Sequence, residues 1–271
     1  MSAVLAFISS SGRGGTDHLL RVSFLDVGQG DAIFIQTPEG IDMLIDGGKD
    51  TRVLRELGKL MSPLDKTIDI VVATHPDADH IGGLSEVFDR YAVKDFVYTS
   101  IESDTSYYER LTSAVAQEPS VRTHEITSAR IMNLGSGVSA HILYPDREII
   151  SGDTNDASVV IKLEYGSTSV LLTGDAGVEV EQWLVRLYGG ELKSDILKAG
   201  HHGSRTSSSK SFVEQVAPRV AIISAGKDNS YGHPHKEVLD TFSLFGIDVF
   251  STAQLGTISF TSDGGEPILV K

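Results

Sequence analysis

From His75 to His80 the chain reads His-Pro-Asp-Ala-Asp-His, so four imidazole or carboxylate side chains fall within six residues. An apolar run, Ile68–Thr74, leads into this segment and Gly82-Gly83 closes it. A tight loop at the end of a strand aims alternate side chains at one point. Two adjoining divalent ions need several nitrogen and oxygen ligands, one group near both ions, and no bulk beside them. The bland alternative is an Asp/His-rich surface turn. The strand before the loop and the glycine pair after it count against that. The chain has no cysteine, which excludes a disulfide scaffold, a zinc ribbon, an iron–sulfur cluster and a thiol nucleophile. Any metal must be held by His, Asp and Glu.

Other polar groups stand at other turns. Asp26 and Asp31 flank a Gly-rich turn, Asp46 precedes Gly47, Asp175 follows Gly174, and His201-His202 precede Gly203. Asp26 and Asp31 read as strand caps, with Asp31 also able to reach a site. The Gly-x-Gly between them is too short, and in the wrong context, for a dinucleotide fingerprint. Ser204, Arg205, Thr206 and Ser207 read either as a helix N-cap cluster or as a cradle for an anionic substrate. Lys198, Lys210, Lys227 and Lys236 fit a phosphate-facing rim or ordinary solvated charge. His18, His124 and His141 lie outside every motif, and Trp183 reads as core.

The elements that must position these groups are legible. Arg21–Val27 alternates apolar and polar residues and predicts a strand. Asp31–Gln36 and Ile41–Ile45 predict two more around Pro38–Gly40, the second ending at Asp46. A helix is expected over Thr51–Leu60, stopped by Ser62-Pro63. Ile68–Thr74 reads as a strand buried on both faces, followed beyond its loop by a helix at Leu84–Tyr91. Lys94–Arg147 is less regular, with one helix (Ser106–Gln117) and short strands such as Val138–Leu143. Then Val159–Tyr165 and Ser169–Thr173 form a hairpin ending at Asp175, and a helix follows over Val178–Leu187. Strand Asp195–Lys198 ends at His201-His202. A helix near Ser209–Val216, a strand Val220–Ser224, a helix Lys236–Phe245 and terminal strands complete the chain. The halves repeat one order: strand, turn, strand, Asp beside Gly, helix, strand, His. Asp46 precedes His75 by 29 residues and Asp175 precedes His201 by 26. Two helix-covered sheets packed face to face give an α/β, four-layer αβ/βα sandwich with its site on the shared rim.

Seven segments carry a resemblance, in order: Leu25–Ala32, Leu44–Gly48, His75–His80, Asn155–Ser158, Leu172–Asp175, Lys198–Ser204 and Tyr231–His235. Together they resemble the metallo-β-lactamase superfamily and, within it, the soluble hydrolase domain of the ComEC competence proteins. The match covers nearly all of residues 20–260, so residues 19–271 are expected to form one such hydrolase domain and residues 1–18 a flexible leader. The resemblance implies a metal-dependent hydrolase with one or two divalent ions. His75, Asp79 and His80 match ligands of its HxHxDH loop, and Asp175 matches the carboxylate that bridges two ions. His201 or His202 matches the last ligand, with the residue adjacent to Gly203 preferred. Asp46 matches a buried carboxylate that braces the loop.

Two departures stand out. Asp77 replaces the middle histidine of the loop, and no separate histidine precedes Asp175; Asn155 and Ser158 stand near its place. Oxygen in place of nitrogen favours harder ions, so manganese or magnesium joins zinc as a candidate. His233 is a candidate replacement ligand or proton donor, and Asp79 and His233 are the catalytic candidates. Ser204, Arg205 and Lys198 are the candidate substrate-binding residues.

The chain has 271 residues and a formal net charge of −14, which opposes indiscriminate nucleic-acid binding. One window departs from this: Lys193–Lys236 holds seven basic residues against three acidic, a net +4. No apolar run reaches the roughly 18 residues of a membrane span, and no membrane contact is expected. The N-terminus lacks a basic region before its short apolar stretch, so a cytoplasmic location is expected. The favoured reading is a phosphodiesterase or nuclease acting on DNA, RNA or a nucleotide, using a metal-bound hydroxide. A small-molecule lactone, ester or thioester hydrolase is the first alternative, because the fold itself does not choose. A non-catalytic metal- or partner-binding module is the second; nothing in the sequence names a protein partner.

Overall fold

The computed structural model describes residues 3–6, 18–149 and 152–270. Two eight-stranded sheets form its centre. The first runs, edge to edge, through Ile268–Leu269, Ile258–Ser262, Leu20–Phe24, Ile33–Gln36, Asp42–Ile45, Thr67–Val72, Ala92–Thr99 and Arg122–Ile126. The second runs through Ala3–Ala6, Arg130–Asn133, Val138–Tyr144, Val160–Tyr165, Thr168–Leu172, Ile196–Lys198, Val220–Ile223 and Asp248–Ser251. Each sheet contains an antiparallel meander that gives way to parallel strands, and the second sheet carries one further parallel strand, Ala3–Ala6, at its other edge. The change falls after Asp42–Ile45 in the first and after Thr168–Leu172 in the second. These are the two strands that lead into Asp46 and Asp175.

Strand alternation builds the layers. Met43, Ile45, Ile70 and Val72 turn toward the opposite sheet and join Ile142, Ile161, Val170 and Leu172 in the central core. Their neighbours Leu44 and Val71 turn outward onto Val53, Leu57, Leu84 and Val87 of the covering helices. On the far side Leu171, Leu197 and Ala221 do the same with Leu184, Phe212 and Phe242. Thr67–Val72 is therefore covered on both faces, as its apolar run implies. Three apolar interfaces separate four layers, which is the expected αβ/βα sandwich.

Helices Arg52–Leu60, Leu84–Arg90, Ser106–Gln117 and Val178–Tyr188 match their sequence signals to within a residue or so. The irregular 94–147 stretch supplies the last two strands of the first sheet and two strands of the second. Most of the leader expected over residues 1–18 lies outside the described residues. Within it, Ala3–Ala6 pairs in parallel with Arg130–Asn133. Among the described residues no helix is long and apolar enough to cross a membrane.

Candidate metal centre

Strand ends deliver the site. Asp46 directly follows Asp42–Ile45, and Thr74 and His75 follow Thr67–Val72. Asp175 follows Thr168–Leu172, and the histidine pair follows Ile196–Lys198. Asp46, His201 and His202 all hold positive φ, at 60°, 48° and 56°, a region that non-glycine residues seldom enter. Such backbone persists only where its surroundings over-determine it. Close approach also fixes Gly30, where an added Cβ would lie 1.9 Å from the carbonyl oxygen of Asp79.

The groups converge. Ligand atoms of Asp31, His80, Asp175 and His202 all lie within 4.8 Å of one another, and all four side chains are buried. The two Nε2 atoms of His80 and His202 are 3.3 Å apart. Asp175 Oδ1 is 3.2 Å from His80 Nε2, and its Oδ2 is 3.3 Å from His202 Nε2. Asp79 Oδ2 lies 3.4 Å from His202 Nε2. Of the histidine pair, His202, next to Gly203, enters the cluster. His201 stays part-exposed, bonded to Thr206 through Nδ1, with Nε2 at 3.7 Å from Asp175.

Buried carboxylates hold the imidazoles from behind. Asp46 Oδ2 accepts a 2.7 Å hydrogen bond from His80 Nδ1. That fixes the tautomer and leaves the Nε2 lone pair facing inward. The Thr74 amide and hydroxyl also donate to Asp46, at 2.8 and 2.7 Å. With its proton given to Asp46, Thr74 Oγ1 can only accept from His75 Nδ1, 3.1 Å away. Asp46 therefore orients His80 directly and His75 through a hydroxyl. Asp31 Oδ1 stands 3.3 Å from His202 Nδ1, the nitrogen opposite the cluster. The other oxygen of Asp31 pairs with Lys198 Nζ at 2.8 Å.

The opposite flank is more open and richer in oxygen. His75 Nε2 lies 3.9 Å from Asp77 Oδ2, whose side chain is 39 % exposed. Thr154 Oγ1 donates to Asp77 at 2.6 Å. Ser158 Oγ accepts from the Asp175 amide at 3.1 Å and lies 3.3 Å from His75 Nδ1. Ser158 touches the cluster, whereas Asn155 sits one turn away, its carboxamide oxygen buried and unpaired.

These donors fit a divalent cation. His75 Nε2 and Asp175 Oδ1 are buried with no hydrogen-bond partner. Burial disfavours charge on His80 and His202, yet Asp175 with Asp46, and Asp175 with Asp31, hold both rings well above the ordinary imidazole range. Two charged rings would point N–H groups at each other across 3.3 Å. A cation accepting both lone pairs removes that conflict. Burial also disfavours charge on Asp175, but His202 and His80 hold its carboxyl well below the usual range. Asp79 is held low against burial by its hydrogen bond to His202 and by His80. Burial, then the charge of His80, pushes His75 down to about 4, which keeps its lone pair free. Burial alone would raise Asp31, but Lys198 and His202 bring it to about 2.

Several expected roles change. Lys198 is not a rim residue: it is fully buried, with Nζ on Asp31 and on the Ala199 carbonyl. A buried ammonium needs a carboxylate, and Asp31 supplies it. The basic window is dispersed as well. Arg219 pairs with Glu266 and Lys236 with Asp240, while Arg205, Lys210 and Lys227 remain exposed. Ser204 is buried with Oγ on Thr206 Oγ1, so it shapes the turn. Arg205 stands at the rim, its amide donating to His235 Nδ1 at 3.2 Å. His233 packs against His201 and His202, with ring centroids 5.6 and 6.2 Å away. Burial, and then the charge of His202, pushes it down to about 4, which favours the neutral ring over a proton donor. Trp183 is only partly buried; Arg147 and Arg186 lie over its ring and Asp146 takes its N–H. His124 and His141 are held by Asp95 and Glu164, outside the cluster. No sequence motif points to Thr74 or Thr154, although Thr74 immediately precedes the loop.

Comparison with known proteins gives the same outline. The model of the Metallo-beta-lactamase superfamily matches residues 25–227. ComE operon protein 3 of Bacillus subtilis (strain 168) is 33% identical over 256 residues, covering 88% of this chain and 32% of its own length. Competence protein ComA of Neisseria gonorrhoeae is 30% identical over 258 residues, 94% of this chain and 34% of its own. The chain thus spans about a third of the length of the curated relatives it matches. Among solved structures, CmlA, a diiron beta-hydroxylase from Streptomyces venezuelae, superposes with a TM-score of 0.51 at 14% identity, over 85% of this chain and 52% of that one. That likeness concerns the fold.

Proposed function

We propose, for a chain that belongs to the metallo-β-lactamase superfamily, that the cluster is a divalent-metal phosphodiesterase centre acting on nucleic acid. The observation that carries this is the meeting of His80 Nε2, His202 Nε2 and Asp175 at one buried point, with His75 Nε2 unpaired beside it. Kinship with a protein named for competence supports nucleic acid as the substrate class.

Asp79, His80, Asp175 and His202 would hold one cation; His75, Asp77 and Asp175 would hold a second. Zinc or manganese suits the mixed nitrogen and oxygen set, and magnesium suits the Asp77 side. A bound divalent ion supplies Lewis-acid charge to a phosphoryl oxygen and brings the pKa of water to about 7. The chain's own residues do the rest. Asp46 and Asp31 keep two imidazoles aimed inward, and Lys198 keeps Asp31 ionised. Asn229 grips His233 through its main-chain N–H and C=O, at 2.9 and 2.7 Å. The neutral ring of His233 is thereby placed to accept a proton at the site's edge. Exposed Arg205 offers a charge to an incoming phosphate.

The ester reading gains little support. An apolar cavity does adjoin His75 and Pro76, but its volume is about 30 Å³, far below the roughly 300–1,000 Å³ of a small-molecule pocket. The test is hydrolysis of single-stranded DNA, RNA and bis-p-nitrophenyl phosphate with added manganese or zinc, with Asp175→Ala as control. Phosphodiester cleavage that chelation abolishes and metal restores is expected. Turnover of a lactone or thioester without any phosphodiester cleavage would refute the reading. Purified protein retaining no transition metal and no activity would support the non-catalytic module.

A further inference from the structure

We infer that Tyr231 is a stacking platform for an unpaired nucleobase beside the phosphate held at the centre. The inference rests on the phosphodiesterase reading and adds the form of its substrate. Tyr231 is 62% exposed, yet its ring is not loose. It stacks on His233 at 5.6 Å between centroids and 22° between planes. His233 in turn lies 6.2 Å from His202, which belongs to the buried cluster. Two ring-to-ring steps therefore lead from the cluster to a solvent-facing aromatic surface.

The loop presenting this ring is held at several points. Asn229 Nδ2 donates to the Gly226 and His233 carbonyls at 2.8 and 2.7 Å, and its Oδ1 accepts from the His233 amide at 2.9 Å. Gln29 Oε1 accepts from the Gly226 amide at 3.2 Å, and the Gly203 carbonyl accepts from the His235 amide at 2.9 Å. One face of the ring is covered by His233 and the rest is open. An aromatic surface fixed in place binds a base with little ordering cost. Arg205 and Lys227 are both exposed, and Lys227 lies in the loop itself. Arg205 is tied to it through His235 Nδ1. Cations carried on this loop and on the segment tied to it, together with a fixed ring, match a ligand that alternates phosphates and flat bases. A paired duplex already stacks both faces of its bases, so the platform favours single strands and frayed ends.

The experiment compares two oligomers of equal length, one of single-stranded DNA and one of tetrahydrofuran abasic residues that keep the phosphates. Wild-type protein is expected to cleave the base-bearing oligomer with at least about tenfold higher kcat/KM. Tyr231→Ala should lower kcat/KM for that oligomer roughly 5- to 150-fold, mainly through KM. Its effect on the abasic oligomer should be far smaller, so the preference disappears. Tyr231→Phe and Tyr231→Trp should retain the preference. An equal loss on both oligomers would mean that the ring only supports His233 and would overturn the platform. Equal cleavage of both oligomers by wild-type protein would overturn it too, while leaving the nuclease reading intact. Cleavage of neither oligomer would sink both.

Discussion

The two flanks of the centre use the same residue types and brace them differently. On the His80–His202 flank each imidazole has a buried carboxylate behind it, Asp46 at 2.7 Å and Asp31 at 3.3 Å. Those carboxylates are themselves held, by Thr74 and by Lys198. On the His75 flank the brace is a hydroxyl, Thr74 Oγ1, and the partner ligand Asp77 is partly in solvent. A carboxylate only accepts, so the Asp46 hydrogen bond dictates which nitrogen of His80 carries the proton, while Asp31 acts on His202 as a charge 3.3 Å away. A hydroxyl can donate or accept, so Thr74 dictates only because Asp46 takes its proton. The lesson is one of affinity. Pre-aimed lone pairs on buried donors bind a cation without reorganising, whereas the His75–Asp77 side must draw in a solvated carboxylate. The first flank is expected to hold its ion tightly and the second to exchange it.

Asp175 is shared by both flanks, so removing it should erase the distinction. Asp175→Ala is expected to reduce phosphodiester turnover on the order of 10³-fold, with His80→Ala close behind. Circular dichroism should show both variants folded. Unchanged turnover in either would end the assignment of the centre. Asp46→Asn comes next. Its loss touches His80 directly and His75 through Thr74, and metal affinity should fall about 10- to 100-fold. Isothermal titration with zinc or manganese reads this, and the tighter ion should suffer more. An equal loss at both ions would contradict the direct and relayed arrangement. Asp31→Asn carries a second penalty, because Lys198 would be left buried and unpaired at a cost of about 3–5 kcal/mol. Chemical denaturation should therefore separate it from Asp46→Asn, where no ammonium is stranded.

The same contrast explains what the sequence disclosed. Asp46 and Asp175 are legible because each follows a strand end beside glycine, where a turn gives the backbone room and strand geometry fixes the aim; His80 is legible from the dense His-Asp spacing of its loop and lies on the short helix Ala78–Ile81. The place of His202 beside Gly203 favours it over His201, and it is the one that lies in the cluster. Lys198 was misplaced for a physical reason. Its motif is polar, and its burial is set by Asp31, a long-range partner that no local spacing encodes. Thr154 was invisible because a lone hydroxyl has no periodicity, and its partner Asp77 lies 77 residues away. The fold was easier. Alternation in strands such as Val138–Tyr144 survives as alternating burial, while Arg122–Ile126, largely exposed at its sheet edge, shows no such pattern to read.

Asp77→His tests the weaker flank from the opposite direction. It replaces a part-solvated oxygen ligand by a nitrogen, which zinc prefers, and Thr154 loses its acceptor. Zinc bound per chain, measured by elemental analysis after dialysis, should rise toward two, and manganese should lose ground. A stoichiometry unaffected by the change would place the second ion elsewhere. The smallest effect is expected from Ser158→Ala. This hydroxyl accepts the Asp175 amide and sits beside His75 Nδ1, so its removal leaves one buried N–H unsatisfied at about 1–3 kcal/mol. Asp46, Thr74 and Lys198 all stay in place, and the His80–His202 flank is untouched. Turnover should fall only a few-fold, with the loss reversed by raising the metal concentration. A loss as deep as that of Asp175→Ala would mean that the hydroxyl is itself a ligand, and that the His75 flank is as strongly built as its neighbour.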